Sequence, residues 1–353
     1  MLTGARGRFQ QLDFLRRVPR KEASLVPRRR WLATGLFWVV AMPGPVGQAF
    51  QARTTTPGRE FAVVAYLPDY RLDRVDPRRA VGVTDLVYFS IEARDNGSVD
   101  ARRLSDRALK MLKRFKHENG TRVHVAVGGW GRSGGFARLS QDARARGRLV
   151  ADLVQLCEKH GLDGVDLDWE HPQNDAENAG YATLLAELKS AFTPRKLLLS
   201  AALADWQDPG PKAYQALDRI HVMAYDHDGP RHSTFDQARA DALTFVNRGV
   251  PRSKLCLGLP FYGRLSTNSQ VESSYADILA KDHPQASADE AGGFFFNGPD
   301  TIARKTRFAH DEGLGGVMIW ELGQDASGKD SLLDAIRRAS HQTVVPPESR
   351  RQP

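Results

Sequence analysis

The chain has 353 residues, enough for one α/β barrel of about 250 residues with extensions. Its hydrophobic content of 41% is that of an ordinary globular protein. The formal charge of +8 belongs to the N-terminus: residues 1–52 hold nine Lys and Arg against two Asp and Glu, leaving 41 against 40 for the rest, so the body carries no basic surface suited to nucleic acid.

Residues 1–52 read as a basic leader and signal sequence. Arg28-Arg29-Arg30 precede an apolar run from Trp31 to Met42, and a small-residue stretch ends at Val46-Gly47-Gln48-Ala49. The run is short for a membrane span. The arginines resemble a twin-arginine export signal, with Pro27 where that motif prefers Ser or Thr. A secreted or periplasmic location is the expectation, with an uncleaved anchor as the alternative. Residues 53–60 read as a linker, 61–339 as the folded body, and the polar, Pro-rich stretch 340–353 as a disordered tail.

From Phe61 onward, strand patterns alternate with helical ones, which argues for a parallel α/β sheet. Strands are predicted at 61–67, 85–91 and 122–127, the third running into Gly128-Gly129-Trp130. An acidic fourth strand covers 162–170, followed by strands at 196–203, 219–226, 254–260 and 314–321. Apolar residues at helical spacing predict helices over 104–118, 143–159, 178–191, 236–247 and 332–339. Eight strands with helical crossovers make a (β/α)8 TIM barrel, a single domain. A doubly wound sheet would need a Gly-rich turn after strand one, where Pro68-Asp69-Tyr70 stands. Between strands seven and eight, residues 265–313 show one helical pattern, Tyr275 to Lys281, and read as a reduced insertion. Cys157 and Cys256 fit no zinc or redox motif; they read as two buried free thiols, with a disulfide still open. No amphipathic stretch is left over after the helices are assigned, so a monomer is expected.

The acidic strand organises the rest. With period-two alternation, Asp166, Asp168 and Glu170 share one face, spaced roughly 6–7 Å apart, while Val165, Leu167 and Trp169 share the other. Three carboxyls in a column cannot all ionise cheaply, so at least one is held protonated, as a general acid must be. Glu170, at the strand end before Pro172, is the best-placed donor. A structural ion pair or metal-binding strand is the alternative reading. Tyr66, Phe89, Trp130, Tyr225, Asp226, Tyr262 and Trp320 fall at the C-terminal ends of other strands, the working face of such a barrel. Rings that stack on pyranose faces, with acids that bond hydroxyls, suit a sugar.

Asp163-Gly-Val-Asp166-Leu-Asp168-Trp-Glu170 resembles the D-G-x-D-x-D-x-E signature of family 18 glycoside hydrolases, the chitinase family. Met223-Ala-Tyr225-Asp226 is similar to the family's M-x-Y-D on strand six, and Gly258 to Arg264 and Gly315 to Glu321 to its segments on strands seven and eight. The resemblance implies a retaining hydrolase of β-1,4-linked N-acetylglucosamine polymers, in which Glu170 is acid and base and the substrate's N-acetyl group is the nucleophile. It implies roles for Asp168 and Asp166, which would share a proton, and for Tyr225 and Asp226 around the acetamido group. It also implies sugar contacts by Tyr66, Phe89, Gly129, Trp130, Met223, Tyr262, Arg264 and Trp320, and no metal or organic cofactor. An endo-β-N-acetylglucosaminidase and a peptidoglycan N-acetylglucosaminidase share this chemistry; a non-catalytic chitin-binding lectin on the same barrel is the other alternative, against which Glu170 stands, because such lectin-like relatives lose the acid. Strand three departs from the family's S-x-G-G: Ala126 replaces the serine whose hydroxyl would help hold Asp166, a task left to Tyr66 or water. The reduced insertion implies a shallow, open groove. Trp206 reads equally as a loop packing residue. His171 and His227 receive no role, His221 is expected to face the helices, and the charges from Asp241 to Arg248 are expected to form a solvated helix face.

Overall fold

A computed structural model describes residues 60–340. The leader, the linker up to residue 59 and the tail from 341, with the export and disorder readings attached to them, lie outside the described residues. Alternation builds the barrel. Along β1 (Ala62–Pro68), Val63, Ala65 and Leu67 face outward toward the helices, while Ala62, Val64 and Tyr66 face the barrel axis. The same rule governs β2 (Asp85–Ala93), β3 (Arg122–Gly128), β4 (Gly164–Asp168), β5 (Leu198–Leu203), β6 (Arg219–Val222), β7 (Leu255–Pro260) and β8 (Gly316–Trp320). Neighbours pair in parallel in this order, and β1 pairs with both β2 and β8, so the sheet closes. The expected (β/α)8 barrel is what the chain forms.

The outer shell comprises α1 (Asp106–Asn119), α2 (Ala143–His160), α3 (Asp175–Phe192), α4 (Pro211–Ala216), α5 (Phe235–Asn247), α6 (Pro299–Asp311) and α7 (Leu332–Ala339). Their starts are written in the sequence: Ser105, Asp142 and Asn174 each accept a backbone N–H at an N-terminus, and Thr234 with Gln237 forms a full capping box. The main core lies between this shell and the outward strand residues, where each fully buried Leu, Val or Phe contributes about 1.5–3 kcal/mol. Cys157 and Cys256 are both buried and are not joined to each other in a disulfide.

Three expectations need correction, and two helices join those predicted. His221 points inward, because Ile220 and Val222 on either side take the outward, apolar positions. Asp241 is buried in α5 and pairs with His227 at 2.9 Å, so that helix face is not simply solvated. The helices α4 and α6 were not read from the sequence; α6 carries many charges, and its buried stripe includes Lys305 and Thr306. The insertion also holds more than one helix. Strands Tyr262–Leu265, Asn268–Ser274, Glu290–Ala291 and Phe294–Phe295 form a small antiparallel sheet beside the helix Tyr275–Asp282.

Two buried charges tie the frame together. At the N-terminal end of the barrel, the fully buried Asp85 meets Arg122 at 2.7 Å, His124 at 2.9 Å and Arg219 at 2.9 Å. Burial opposes its ionisation, but these partners outweigh burial and hold the carboxyl far below the usual range. On α6, the buried Lys305 amine donates to Ser233 O at 2.8 Å, Ser233 Oγ at 2.8 Å and Asn297 Oδ1 at 2.7 Å. It thereby staples the loop after β6 to the end of the insertion. Replacing Asp85 by Ala would leave the buried Arg219 and the partly exposed Arg122 without their anion. The expected loss is about 3–5 kcal/mol of unfolding free energy, read from urea denaturation.

Candidate active site

The acidic column sits where β4 runs out. Asp166 and Asp168 point inward, and Trp169 points outward, stacked on Phe136 at 5.3 Å and edge-on to Tyr181 at 5.4 Å. Glu170 follows the strand end. The turn after β3 clamps this segment. Gly129 N–H donates to Asp168 O at 2.6 Å, the Ser133 hydroxyl lies 3.0 Å from the same carbonyl, and Glu170 N–H donates to Ser133 Oγ at 3.2 Å.

The three acids meet three environments. Burial alone would raise Asp166, but His221 at 3.1 Å, Ser200 at 2.6 Å and Tyr66 at 2.6 Å hold it below the usual carboxylate range. Asp168 is pushed well up, first by burial and then by the charges of Glu170 and Asp166, and its buried Oδ1 has no hydrogen-bond partner. Burial pushes Glu170 up to about 7, against the opposing Trp130 N–H and with help from Asp226. His171 Nε2 lies 3.5 Å from Glu170 Oε2, with the Trp206 ring edge-on to His171 at 4.7 Å. The column therefore runs from a carboxyl held below its usual range to two whose protonated forms burial favours.

These groups open into a cleft of about 570 Å³ at the C-terminal face of the barrel. Tyr66, Trp130, Asp168, Glu170, Met223, Tyr225, Asp226, Arg264 and Trp320 all line it, as expected from the sequence. Trp130 and Trp206 stand at its edge with 78% and 59% of their surface exposed. Trp206 thus lines the cleft. The other predicted residues lie a layer deeper. Asp166 is fully buried. Phe89 supports Trp320 edge-on at 4.7 Å, and Gly129 backs onto the Phe89 ring. Tyr262 is buried and donates to Asp226 at 2.7 Å. Arg264 adds two bonds to the same oxygen at 2.6 and 2.9 Å, and His232 Nδ1 lies 3.4 Å from it. Partial burial opposes ionisation of Asp226, yet His232, Tyr262 and Arg264 bring it down to about 2. Among the described residues, the Tyr225 hydroxyl makes one long contact, to Met318 Sδ at 3.8 Å.

Some site residues escaped the sequence reading. Ser200 and His221 hold Asp166, Ser133 holds the backbone of the column, and His171, His227 and His232 line the cleft. Ser269 and Gln270, from the insertion's hairpin, line it as well, so the insertion supplies a wall where a shallow groove was expected. Ser200 had a readable signal as the one hydroxyl in the apolar run from Leu197 to Leu203, and the structure sets it directly opposite Asp166 in register. Among the described residues, no group of three or more His, Cys, Asp or Glu is arranged to hold a metal ion.

A closed α/β barrel with a carboxyl column at its mouth, walled by indole and phenol rings, has the build of a glycoside hydrolase. The profile described as Glycosyl hydrolases family 18 matches residues 62–325, and the chain belongs to that family. It is 28% identical over 317 residues to Probable chitinase 10 of Drosophila melanogaster, covering 69% of this chain and only 14% of that much longer protein. It is 27% identical over 283 residues to Endochitinase 1 of Metarhizium robertsii, covering 64% of this chain and 67% of that one. The GH18 chitinase ChiB from the chitin utilization locus of Flavobacterium johnsoniae superposes with a TM-score of 0.72 at 29% identity, covering 80% of this chain and 94% of that one.

Gly129 gives a test of the layering. Its φ is +100°, and a Cβ there would sit 2.1 Å from the Phe89 ring. Gly129→Ala should lower unfolding free energy by about 1–3 kcal/mol, measured by thermal or urea denaturation, and should weaken sugar binding by displacing Phe89 from beneath Trp320.

Proposed function

We propose that this chain is a hydrolase of β-1,4-linked N-acetylglucosamine polymers, a chitinase, that retains anomeric configuration through the substrate's own acetamido group. The observation that carries this reading is the pairing of Glu170, pushed up to about 7, with Asp168, whose buried Oδ1 lacks a partner, at the floor of one cleft. A protonated acid is in place for the leaving oxygen. Next to it stands a carboxyl oxygen free to accept an acetamido N–H. The chitinase names of the relatives support the substrate class.

The steps follow from these positions. The sugar at the cleavage point rests on Trp320, itself supported by Phe89 and by Tyr66 at 5.6 Å. Glu170 gives its proton to the glycosidic oxygen as the C1–O bond breaks. The acetamido carbonyl oxygen closes on C1 to form an oxazolinium, so no carboxylate of the protein need bond to the sugar. Asp168 accepts the acetamido N–H and fixes its orientation, and the Tyr225 hydroxyl donates to the same group. Asp226, held by Tyr262 and Arg264, bonds the intermediate from the facing wall. Water then attacks C1, Glu170 takes up its proton, and the acetamido oxygen leaves with configuration retained. The proposed route begins with export of the chain, since polymeric substrate of this kind is met outside the cytoplasm.

Two outcomes test the proposal on the full chain. Glu170→Gln keeps the shape and removes the proton, so hydrolysis of chitotetraose should fall by about 10²–10⁴-fold while binding persists; a variant that still cuts at the parental rate sinks the assignment. Because the acid must carry its proton, kcat/KM of the parent should decline as pH rises past about 7.

A further inference from the structure

The surroundings of Asp166 are unusually complete for a group that is expected to trade a proton. Its neighbour in register on β3 is Ala126, which offers no hydroxyl, and its neighbour on β5 is Ser200, which donates at 2.6 Å. Tyr66 reaches across from β1 and donates at 2.6 Å. His221 arrives from β6, with Nδ1 at 3.1 Å from Asp166 Oδ1 and 2.8 Å from the Tyr66 oxygen. Since Tyr66 gives its hydrogen to Asp166, a hydrogen on His221 Nδ1 is what satisfies both of these contacts. The imidazole is buried and set edge-on to the Tyr66 ring at 5.7 Å, so it has one orientation.

Other charged groups near His221 are already committed. Across a water-sized cavity on its N-terminal side stand Asp85 from β2, His124 from β3 and Arg219 from β6, bound to one another. Cys256 from β7 is its partner in register, Met318 from β8 is apolar, and Asp168 from β4 lies beyond Asp166 toward the cleft. His221 is therefore the basic side chain that reaches Asp166.

We propose that His221 is a positioning residue that takes the place of the hydroxyl absent from position 126: with Tyr66 and Ser200 it keeps Asp166 a proton-free acceptor, and so confines the proton of the carboxyl column to Asp168 and Glu170. The inference rests on the reading above, in which Glu170 delivers that proton. It departs from a scheme in which Asp166 and Asp168 share one. The lower acid becomes a fixed charge that repels ionisation of Asp168, and exchange is left to the two carboxyls that face the cleft.

The test compares His221→Leu, His221→Asn and the double variant Ala126→Ser/His221→Leu in the full chain. Leucine removes the donor, so Asp166 takes up the proton, Asp168 becomes the anion beside Glu170, and Glu170 keeps its proton to higher pH. The alkaline limb of kcat/KM should move up by about 0.5–1 pH unit. In the same variant kcat should fall by about tenfold or more, with KM within about twofold. Asparagine sets an amide N–H where Nδ1 stood and should leave the limb unmoved. Serine at 126, directly opposite Asp166, should return the limb of the leucine variant toward its parental position. Equal losses for leucine and asparagine with an unmoved limb would reduce His221 to a space filler and overturn the proposal. A second readout needs no turnover: the 13C-carboxyl resonance of Asp166, identified by its loss in Asp166→Asn, should stay at its ionised position in the parent from about pH 5 to 8 and titrate in His221→Leu. Titration in the parent, or none in the leucine variant, overturns the proposal. If the parent cuts no N-acetylglucosamine oligomer, the functional reading fails, and the resonance still decides the role of His221.

Discussion

Ionised carboxylates inside a closed barrel are tolerated only with donors around them, and the rest of this site depends on how Asp166 meets that condition. Its three donors come from three other strands, β1, β5 and β6. The barrel must therefore close correctly before the innermost acid is satisfied. The next two acids have no comparable set of donors among the described residues, and burial pushes both upward. The chemistry of the cleft follows from a gradient of solvation along one strand: saturated at the bottom, unpartnered in the middle, half-open at the top.

The second constraint is mechanical. Trp320 needs a firm base to act as a floor, and it has one in Phe89 and Tyr66, both buried beneath it. Phe89 in turn leaves no room for a side chain at position 129, where the backbone donates to Asp168. The same turn thus supports both the Trp320 ring, through Phe89, and the strand that carries the acids. Phe89, Gly129 and Tyr262 support Trp320 and Asp226 without lining the cleft themselves.

Much of this was legible in the chain. Period-two alternation in a run of acids is hard to explain except by function, and apolar strands at regular intervals leave few folds open. What escaped was of two kinds. His221 lies between Ile220 and Val222, and its direction depends on which face of β6 is the apolar one, which alternation could have shown. The insertion's strands escaped for a different reason. Glu290–Ala291 and Phe294–Phe295 are two residues each, and Asn268–Ser274 is polar and largely exposed, so neither period nor hydrophobicity marks them. Asp241 and Lys305 were misjudged or unseen because a buried charge is recognisable only with its partners in place; His227 lies 14 residues from Asp241, and Ser233 lies 72 from Lys305.

The staple at Lys305 bears on how such a cleft can change over time. The loop that carries His232 is tied through Ser233 to an amine inside α6, and that amine also grips Asn297. A substitution at Ser233 must satisfy all of those partners at once, so this part of the wall is hard to change without loss of the staple. Ser269 and Gln270 are under no such obligation: they sit on a polar hairpin at the rim. New substrate preferences, whether selected in nature or in the laboratory, would therefore arise first at that hairpin, with the loop after β6 drifting last.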